Sequence, residues 1–556
     1  MTSQLTTDVL VVGGGPIGMA MALELRYRGV SCVLVEEGDG AVGHPKVSSI
    51  GPRSMEFFRR WGIADRVRHS GWPGDHPLDC VWTTRIGGHE LFRLKRATMD
   101  TRADFRHTPE PDAICPQHWL GPLLREELGD VVRLQTRMDD FVQDDDGVTA
   151  SLTDLVSGEV AEVRARYLVA CDGTGSPIRK ACGIPAATVH ETQVFRNILF
   201  SAPELRSRLG DSSANFYYLM ISSALRFPMR ALDGERLYRL TVGLQGDPES
   251  LQDAETLVRK AIAFDTPVEV LSDNEWHLVH RVAADFRSGR VFLVGDSAHT
   301  LSPSGGFGMN TGICGAADLG WKLAAEIAGW AGPGLLDSYT LERQPVAFEG
   351  LEEANRNLER AMKRQVPDEL NDDTPQGEFL RGKVREGLER GGVAREFDAP
   401  EIHLGFTYAG SPLIVADPTA EQTEDRRPNT RPGSRAPHAW VKPGMSTLDL
   451  FGEGFVLLCL GEEEGVDGAE TGAGRSGVGG ADRQDGFGAG GLEAFAQAFA
   501  ERGIPFSSVV LDVPEIAEVY ERPFVLVRPD GHVAWRGRLL PADAGAIADQ
   551  VRGGAR

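Results

Sequence analysis

Apolar residues form short runs that enter glycine-rich loops at three places along the chain. The first run covers residues 8–12 and enters the loop from Gly13 to Gly18; a helical pattern over residues 19–29 follows, and residues 32–35 form another run. Short apolar runs bounded by glycine are typical of buried strands, whereas the longer amphipathic stretch is typical of a helix. The opening of the chain therefore predicts a βαβ unit.

The same pattern recurs twice further along the chain. Residues 165–170 are an apolar run that enters the loop at 171–180, and residues 290–294 enter the loop at 295–310. In open α/β sheets the carboxyl ends of parallel strands meet at one edge, and ligands bind there. We therefore expect the three loops to lie together.

The rest of the chain shows two other patterns. Residues 183–280 contain short alternating runs, such as 215–222 and 236–244, which predict an antiparallel sheet that serves as a substrate domain. Residues 320–396 are mainly helical. The sequence thus predicts an α/β fold with a discontinuous first domain, residues 1–182 and 281–400, and an inserted domain, residues 183–280.

A third domain is predicted for residues 401–556. It contains a strand pattern at 455–461, a helical pattern at 492–503 and a strand-turn-strand pattern at 523–537, where Asp530 and Gly531 suit a tight turn. Residues 461–491 are rich in glycine and charge and have too few apolar residues for a core, which predicts a flexible insertion.

Composition limits the classes of function. The 556 residues carry a net charge of -23, which argues against nucleic acid or an anionic membrane as a partner. The seven cysteines include no Cys-x-x-Cys pair, which favours reduced thiols. With no secretion signal and no apolar run long enough to span a bilayer, the sequence predicts a cytoplasmic enzyme.

The first glycine loop has the pattern of a dinucleotide-binding site. Its glycines allow a tight turn after the strand, and they let backbone N–H groups approach a pyrophosphate at the start of the helix. Glu36 ends the next strand, where a carboxylate can accept hydrogen bonds from an adenosine ribose. The residues expected to bind the cofactor here are Gly13, Gly15, Pro16, Ile17, Gly18 and Glu36.

Together with two later motifs, this loop resembles the class A flavoprotein monooxygenases, the para-hydroxybenzoate hydroxylase family. The second motif is Cys171-Asp172-Gly173 with Arg179, and the third runs from Gly295-Asp296 through Pro303 to Asn310. The resemblance covers roughly residues 8–350 and includes the segment from Tyr339 to Ala347, which is similar to the family's YxxER-x-PVA pattern. It implies noncovalent FAD, NADPH or NADH as the reductant, and O₂ as co-substrate.

The resemblance also implies roles for individual residues. The further residues that it places at FAD or the nicotinamide cofactor are Lys46, Arg53, Gln117, Asp172, Arg179, Asp296, Gly308, Met309 and Asn310. Lys46 stands where arginine is usual, which leaves the choice between NADPH and NADH open. Asp172-Gly173 could instead be a plain turn, and Asp296 could cap the following helix. No metal site is expected.

In the family, the third loop faces the reacting part of the flavin. Pro303, Gly305 and Gly306 are therefore the expected catalytic residues, because a loop of backbone N–H groups favours negative charge on the reduced flavin. Tyr217, Met220, Arg226 and Met229 are candidates for substrate contact, although an ordinary sheet core would give the same pattern. Ser48 lies where related phenol hydroxylases place an aspartate, so no base for the substrate is identified.

The resemblance implies hydroxylation of a phenolic or polyketide-type aromatic compound through a flavin hydroperoxide. A Baeyer–Villiger or epoxidising oxygenase remains open, as does a protein that sequesters a ligand without turnover. The C-terminal unit resembles the thioredoxin-like domain of phenol and polyketide hydroxylases, but it lacks the dithiol needed for exchange. A packing role is therefore expected for it, and a homodimer remains open.

Overall fold

The computed structural model describes residues 5–45, 49–102, 107–223, 225–244, 248–362, 365–397, 399–418, 429–460 and 489–554. The strands, in chain order, are β1 (Leu5–Val12), β2 (Cys32–Val35), β3 (Ser49–Ile50), β4 (Cys80–Thr83), β5 (Glu90–Leu94), β6 (Ala113–Ile114), β7 (Val132–Arg133), β8 (Thr136–Gln143), β9 (Val148–Asp154), β10 (Val160–Ala170), β11 (Ala186–Ser201), β12 (Phe216–Met220), β13 (Arg226–Ala231), β14 (Leu237–Gly243), β15 (Glu269–Ala283), β16 (Arg287–Ser288), β17 (Val291–Leu293), β18 (His299–Thr300), β19 (Trp440–Lys442), β20 (Met445–Ser446), β21 (Phe455–Leu460), β22 (Phe506–Leu511), β23 (Phe524–Val527) and β24 (Val533–Gly537).

The α-helices alternate with these strands in the first and last parts of the chain. In chain order they are α1 (Pro16–Tyr27), α2 (Pro52–Arg60), α3 (Ala64–Arg68), α4 (Gln117–Leu128), α5 (Pro177–Ala181), α6 (Leu205–Leu209), α7 (Ala254–Ala261), α8 (Phe307–Ala328), α9 (Ser338–Met362), α10 (Pro375–Arg390), α11 (Pro400–His403), α12 (Ala489–Ala500), α13 (Pro514–Tyr520) and α14 (Ala544–Val551). Within the described ranges, no helix is both long enough and apolar enough to cross a bilayer.

The first sheet has β1 at its centre. Its strand order is β16-β17-β10-β1-β2-β7, and β1, β2, β10 and β17 run parallel. Val12 aligns with Ala170 on one side and with Val35 on the other, and Ala170 aligns with Leu293. The three glycine loops therefore follow strands that end at the same edge, and the predicted α/β fold with a Rossmann-like domain is confirmed.

The second sheet has eight strands in the order β18-β15-β11-β14-β13-β12-β4-β5. All neighbouring strands are antiparallel except β12 and β4, which are parallel. The inserted antiparallel sheet is thus present, but β4 and β5 come from residues before 183 and β18 from residues after 280. This sheet therefore draws on three separate stretches of chain. The domain boundaries given above remain a prediction.

The third sheet builds the C-terminal unit, for which the resemblance implied a thioredoxin-like domain. Its order is β22-β21-β23-β24, with β21 and β22 parallel and the other pairs antiparallel. At the predicted turn, Gly531 has a φ of 86° and its N–H donates to the Arg528 carbonyl at 2.9 Å. Residues 489–491 belong to α12, which corrects the end of the predicted insertion; residues 461–488 lie outside the described residues.

Buried charges hold the C-terminal unit against α8 and α9. Arg528 donates to Glu342 at 2.6 Å and to Asp318 at 3.1 Å, and Lys322 donates to Glu342 at 2.6 Å. All four side chains are buried. A buried charge is tolerated only with such partners, so Glu342, part of the segment that resembles YxxER, serves here to dock the C-terminal unit.

Replacing Cys459 with serine should leave turnover nearly unchanged. Cys459 lies on β21, is fully buried, and burial raises the pKa of its thiol to about 12, so it is neither ionised nor within reach of a second cysteine in its unit. The measurement compares steady-state turnover of the variant and the parent at equal folded concentration. A large loss of activity in a folded variant would contradict a redox-inert unit.

Candidate active site

The first glycine loop joins the end of β1 to α1. A Cβ atom on Gly13 would lie 2.3 Å from the Cys171 carbonyl oxygen, and one on Gly18 would lie 1.9 Å from the Gly13 carbonyl oxygen. Glycine is therefore required at both positions for the close approach of the loops. By contrast, a Cβ on Gly15 would meet no atom within 4 Å, and no side chain caps the helix start at Pro16.

This open helix start fits the pyrophosphate of FAD, because the N–H groups of the first turn need an acceptor and the helix dipole favours an anion. Glu36 lies beside it: its carboxylate accepts the Gly14 N–H at 2.6 Å and the Gly38 N–H at 2.8 Å. Two fixed hydrogen bonds hold this carboxylate at the loop. Ile17 packs instead against Gly295 and Gly312, so its side chain joins the first loop to the third.

The second loop is held by its own side chains. Asp172 accepts hydrogen bonds from the Ser176 hydroxyl at 2.7 Å and from the Ile178 N–H at 3.1 Å, and burial raises the pKa of the carboxyl. Arg179 is buried and donates to the Ile184 carbonyl at 2.9 Å. Both residues shape the turn between β10 and β11, and their expected contacts with the cofactors remain predictions.

The third loop places an exposed carboxylate at the cleft. Asp296 follows β17, lines the main cavity and accepts a hydrogen bond from the Thr174 hydroxyl at 3.3 Å, so the second and third loops meet there. Neither the short 3₁₀ turn that contains Asp296 nor helix α8 after it begins with a side-chain cap, so Asp296 does not cap a helix. A carboxylate at this position suits a hydroxyl group of the flavin's ribityl chain.

We expect Asp296→Ala to weaken FAD binding about tenfold or more, since a hydrogen bond to a charged group contributes about 1.5–3 kcal/mol. The dissociation constant can be measured by quenching of FAD fluorescence, with Asp296→Asn as the matched variant that keeps an acceptor oxygen. Full FAD affinity in the alanine variant would remove Asp296 from this role.

The loop that starts α8 bends sharply at two glycines. Gly305 and Gly306 have φ values of 85° and 67°, and the Gly306 N–H donates to the Pro303 carbonyl at 3.0 Å. A Cβ on Gly306 would have only the Ser49 Cβ near it, at 3.9 Å, and one on Gly308 would meet nothing within 4 Å. The backbone here faces open space, which fits a flat flavin ring.

Pro303, Gly305, Gly306, Gly308, Met309 and Asn310 all line one cavity of about 610 Å³, together with Asp296. This volume lies in the range of ligand pockets. The cavity lies between this loop and one face of the second sheet. The structure thus brings the expected catalytic residues to one cavity.

The sheet face that lines the cavity differs from the predicted one at two positions. Met220 and Arg226 line the cavity as expected, but Tyr217 and Met229 pack in the core on the opposite face. Tyr217 and Met229 are opposite each other in the ladder, and side chains alternate along a strand. Their neighbours in sequence therefore face the cavity instead, namely Phe216, Tyr218 and Arg230.

Arginine makes the cavity basic although the chain is acidic. Arg230 and Arg239 lie on β13 and β14, and burial lowers the pKa of both, to about 9 for Arg239. The charged residues that line the cavity are Lys95, Arg96, Arg102, Arg226, Arg230 and Arg239, against Asp112, Asp296 and Glu396. Because Asp112 already pairs with Arg96 and Arg102, the remaining balance is positive.

Glu396 is a cavity residue that the sequence did not reveal. It accepts hydrogen bonds from the Tyr218 hydroxyl and from the Gly305 N–H, and burial raises the pKa of its carboxyl. Tyr218 stacks on Trp82 with ring centroids 5.0 Å apart. A buried carboxylate with a raised pKa beside the flavin loop has the properties of a general base.

Two other predicted residues, Gln117 and Arg53, lie outside the lining of this cavity. Gln117 starts α4 and is half-buried, but it does not line the cavity. Arg53 is buried against the C-terminal unit, with its guanidinium bound to Glu56 and to the Asp530 carbonyl. Lys46, like Ser48, falls outside the described residues. Their roles toward the cofactors remain predictions, and among the described residues no group of side chains forms a metal site.

Comparison with known proteins agrees with this geometry. The FAD binding domain family matches residues 6–354, and the aromatic-ring hydroxylase C-terminal family matches residues 429–553. The rebeccamycin biosynthetic enzyme RebC, solved with reduced flavin, superimposes with a TM-score of 0.92 and is 58% identical over 100% of both chains. RebC has also been solved after soaking with chromopyrrolic acid, with 7-carboxy-K252c bound, and after soaking with K252c.

Two curated relatives are named for the compounds that they oxidise. Aklavinone 12-hydroxylase DnrF of Streptomyces peucetius is 35% identical over 82% of this chain and 91% of its own length. Tetracenomycin A2 monooxygenase-dioxygenase of Streptomyces glaucescens is 32% identical over 96% of this chain and 94% of its own. The predicted family, FAD cofactor and enzyme class are confirmed. The chain belongs to the class A flavoprotein monooxygenases, the FAD-dependent aromatic-ring hydroxylases.

Proposed function

We propose that this enzyme hydroxylates a flat polycyclic aromatic acid, with O₂ as co-substrate and NADH or NADPH as reductant. The observation that carries the proposal is a pair of half-buried arginines, Arg230 and Arg239, inside an aromatic cavity beside the flavin loop. The ligand 7-carboxy-K252c in the RebC structure supports an aromatic carboxylate.

The walls of the cavity favour more than one ring. Its volume of about 610 Å³ would be shared by the flavin ring and the substrate, so the walls rather than the volume indicate the substrate. Aromatic side chains line it on several sides, among them Trp82, Phe216, Tyr218, Trp276 and Phe397. Flat ligands gain stacking and apolar burial against such walls, and the same walls exclude water.

The charges favour an anionic group on the ligand. Arg230 Nη1 donates to the Ser49 hydroxyl at 3.3 Å, and Arg239 Nη1 donates to the Pro45 carbonyl at 2.7 Å, so both guanidinium groups are held in place. A carboxylate matches the planar donors of a guanidinium and would offset the repulsion between two like charges.

The residues present fit FAD at the other side of the cavity. The start of α1 with Gly15 would hold the pyrophosphate, Glu36 the ribose, Asp296 the ribityl chain, and the Gly305 to Asn310 loop the ring. When bound, FAD supplies the activation of O₂ with electrons taken from the nicotinamide cofactor. The protein's task is then to position the aromatic ring and to move its proton.

Glu396 is the residue we assign to that proton. Its carboxylate accepts the proton from a ring hydroxyl or N–H of the substrate, which enriches the ring in electrons and favours attack by an electrophilic oxygen. The Gly305 N–H and the Tyr218 hydroxyl hold the carboxylate in place and are both donors, so an acceptor lone pair on Glu396 remains available to the substrate.

The test supplies FAD-loaded enzyme, NADH or NADPH and ¹⁸O₂ with 7-carboxy-K252c, K252c, aklavinone and 2-naphthol. The proposal expects reductant consumption and one labelled oxygen on a ring carbon, with preference for the carboxylated compound. A labelled ester or lactone would favour the Baeyer–Villiger alternative. Tight binding without reductant consumption or label would instead favour a sequestering protein.

A further inference from the structure

Helix α2 lies between the flavin loop and the C-terminal unit. Its start, at Gly51 and Pro52, borders the main cavity, whereas the side chains of its middle turns reach the C-terminal unit. It is thus a single short element that contacts both.

At its start, α2 is tied to the flavin loop through Asn310. The Asn310 Oδ1 atom accepts the Gly51 N–H at 2.8 Å and the Ser54 hydroxyl at 2.7 Å, and Nδ2 donates to the Gly306 carbonyl at 2.7 Å. Asn310 is buried. Since both ends of its amide are engaged, a shift of α2 would move the Gly306 peptide or break these bonds.

In its middle, α2 is tied to the C-terminal unit through Glu56. The carboxylate accepts from Arg435 Nε at 3.0 Å, from Arg53 Nη1 at 2.7 Å and from the Thr108 hydroxyl at 2.6 Å. Arg53 also donates to the Asp530 carbonyl at 2.6 Å, in the turn between β23 and β24. Arg59 also donates to Asp449 at 2.7 Å and Arg60 to the Pro529 carbonyl at 3.1 Å, so several contacts fix α2 to that unit.

These contacts are costly to break. Arg435 is 1% exposed and Glu56 is 7% exposed. Burial alone would raise the pKa of Glu56, but Arg435 and Arg53 hold it below its usual value, so the carboxylate is ionised. An ionised carboxylate that lost Arg435 would be left buried with Arg53 as its cationic partner, which would disfavour the present position of Glu56 and of the helix that carries it.

We propose that Arg435 is a positioning residue for the flavin: through Glu56 and α2 it holds Asn310, and thereby sets the place of the Gly306 peptide against the flavin ring. The C-terminal unit, which has no dithiol, acts on the flavin site by this route. The inference goes beyond the proposed function, because it does not depend on the identity of the substrate.

The test replaces Arg435 with methionine, which has a similar length and no charge, and examines the purified FAD-loaded enzyme. We expect the FAD dissociation constant to rise about tenfold, in the range of mutations along a coupled network. The visible absorption bands of bound FAD should lose their fine structure. Arg435→Lys, which keeps the charge, should recover part of both signals.

The matched control is Arg528→Met. Arg528 also docks the C-terminal unit through buried ion pairs, but onto Glu342 and Asp318 rather than onto α2. The substitution Arg528→Met should lower the unfolding temperature as much as Arg435→Met does. The FAD affinity and the absorption bands should stay as in the parent enzyme. Equal losses of FAD affinity in the two variants, or no loss in either, would overturn the proposal.

If Arg435→Met alone does not fold, the double variant Glu56→Gln/Arg435→Met removes the buried charge together with its partner. The proposal expects this folded variant to show the same weakened FAD binding and altered absorption. Parental FAD affinity and absorption in the double variant would likewise overturn it.

Discussion

Replacing Glu396 with glutamine is expected to slow substrate hydroxylation by about a hundredfold to ten-thousandfold, the usual contribution of a positioned general base. Glutamine keeps the shape of the side chain and an oxygen acceptor for Tyr218 and Gly305, but it cannot take a proton. The measurement is single-turnover hydroxylation of 7-carboxy-K252c, so that release of product does not mask the chemical step.

The pH profile identifies the cause of this loss. A base must be ionised, so the rate in the parent enzyme should rise with pH through the pKa of Glu396, which burial raises above its usual value. In Glu396→Gln that limb of the profile should disappear, while the absorption of bound FAD stays unchanged. Tyr218→Phe, which leaves the carboxylate in place, should lose much less; an equal loss in both variants would contradict the role of base.

Replacing Arg239 with methionine is expected to weaken binding of 7-carboxy-K252c by about 30-fold or more, since removing one partner of a buried charge pair costs about 2–5 kcal/mol. Arg239 lies in the cavity, and its guanidinium, which donates to the Pro45 carbonyl at 2.7 Å, can also donate to the ligand's carboxylate. Binding can be measured on FAD-loaded enzyme by the change in ligand fluorescence.

K252c provides the control for this prediction, because it lacks the carboxy group of 7-carboxy-K252c. Its affinity should be unchanged in Arg239→Met, since K252c has no carboxy group for the guanidinium to bind. If both ligands lose affinity by the same factor, Arg239 contributes shape rather than charge, and the ligand's acid group binds elsewhere.

The cofactor half of the site was predictable because its requirements are local. Gly13 must be glycine because a Cβ atom there would lie 2.3 Å from the Cys171 carbonyl oxygen. Asp296 must follow a strand that ends at the shared edge of the sheet. Each requirement involves only a few consecutive residues. They therefore leave motifs that can be read from a single chain.

The substrate half was less predictable because its requirements are spread over the chain. Choosing Tyr217 rather than Tyr218 is a slip of one residue, and in a strand one residue decides between the cavity and the core. Glu396 reaches Tyr218 from a 3₁₀ turn far along the chain, and no spacing marks it. Likewise, no motif marks the contact of Arg53 with the Asp530 carbonyl of the C-terminal unit.

The route of the chain through the second sheet limits how this enzyme could be re-engineered. A chimera that exchanged only residues 183–280 with a relative would leave behind β4, whose ladder with β12 borders the cavity-facing Phe216 and Tyr218. The foreign β12 would then have to pair with a native neighbour whose side chains were selected for another strand. Transfer of substrate preference between relatives should therefore require the segment from residue 80 to residue 94 to travel with the inserted sheet.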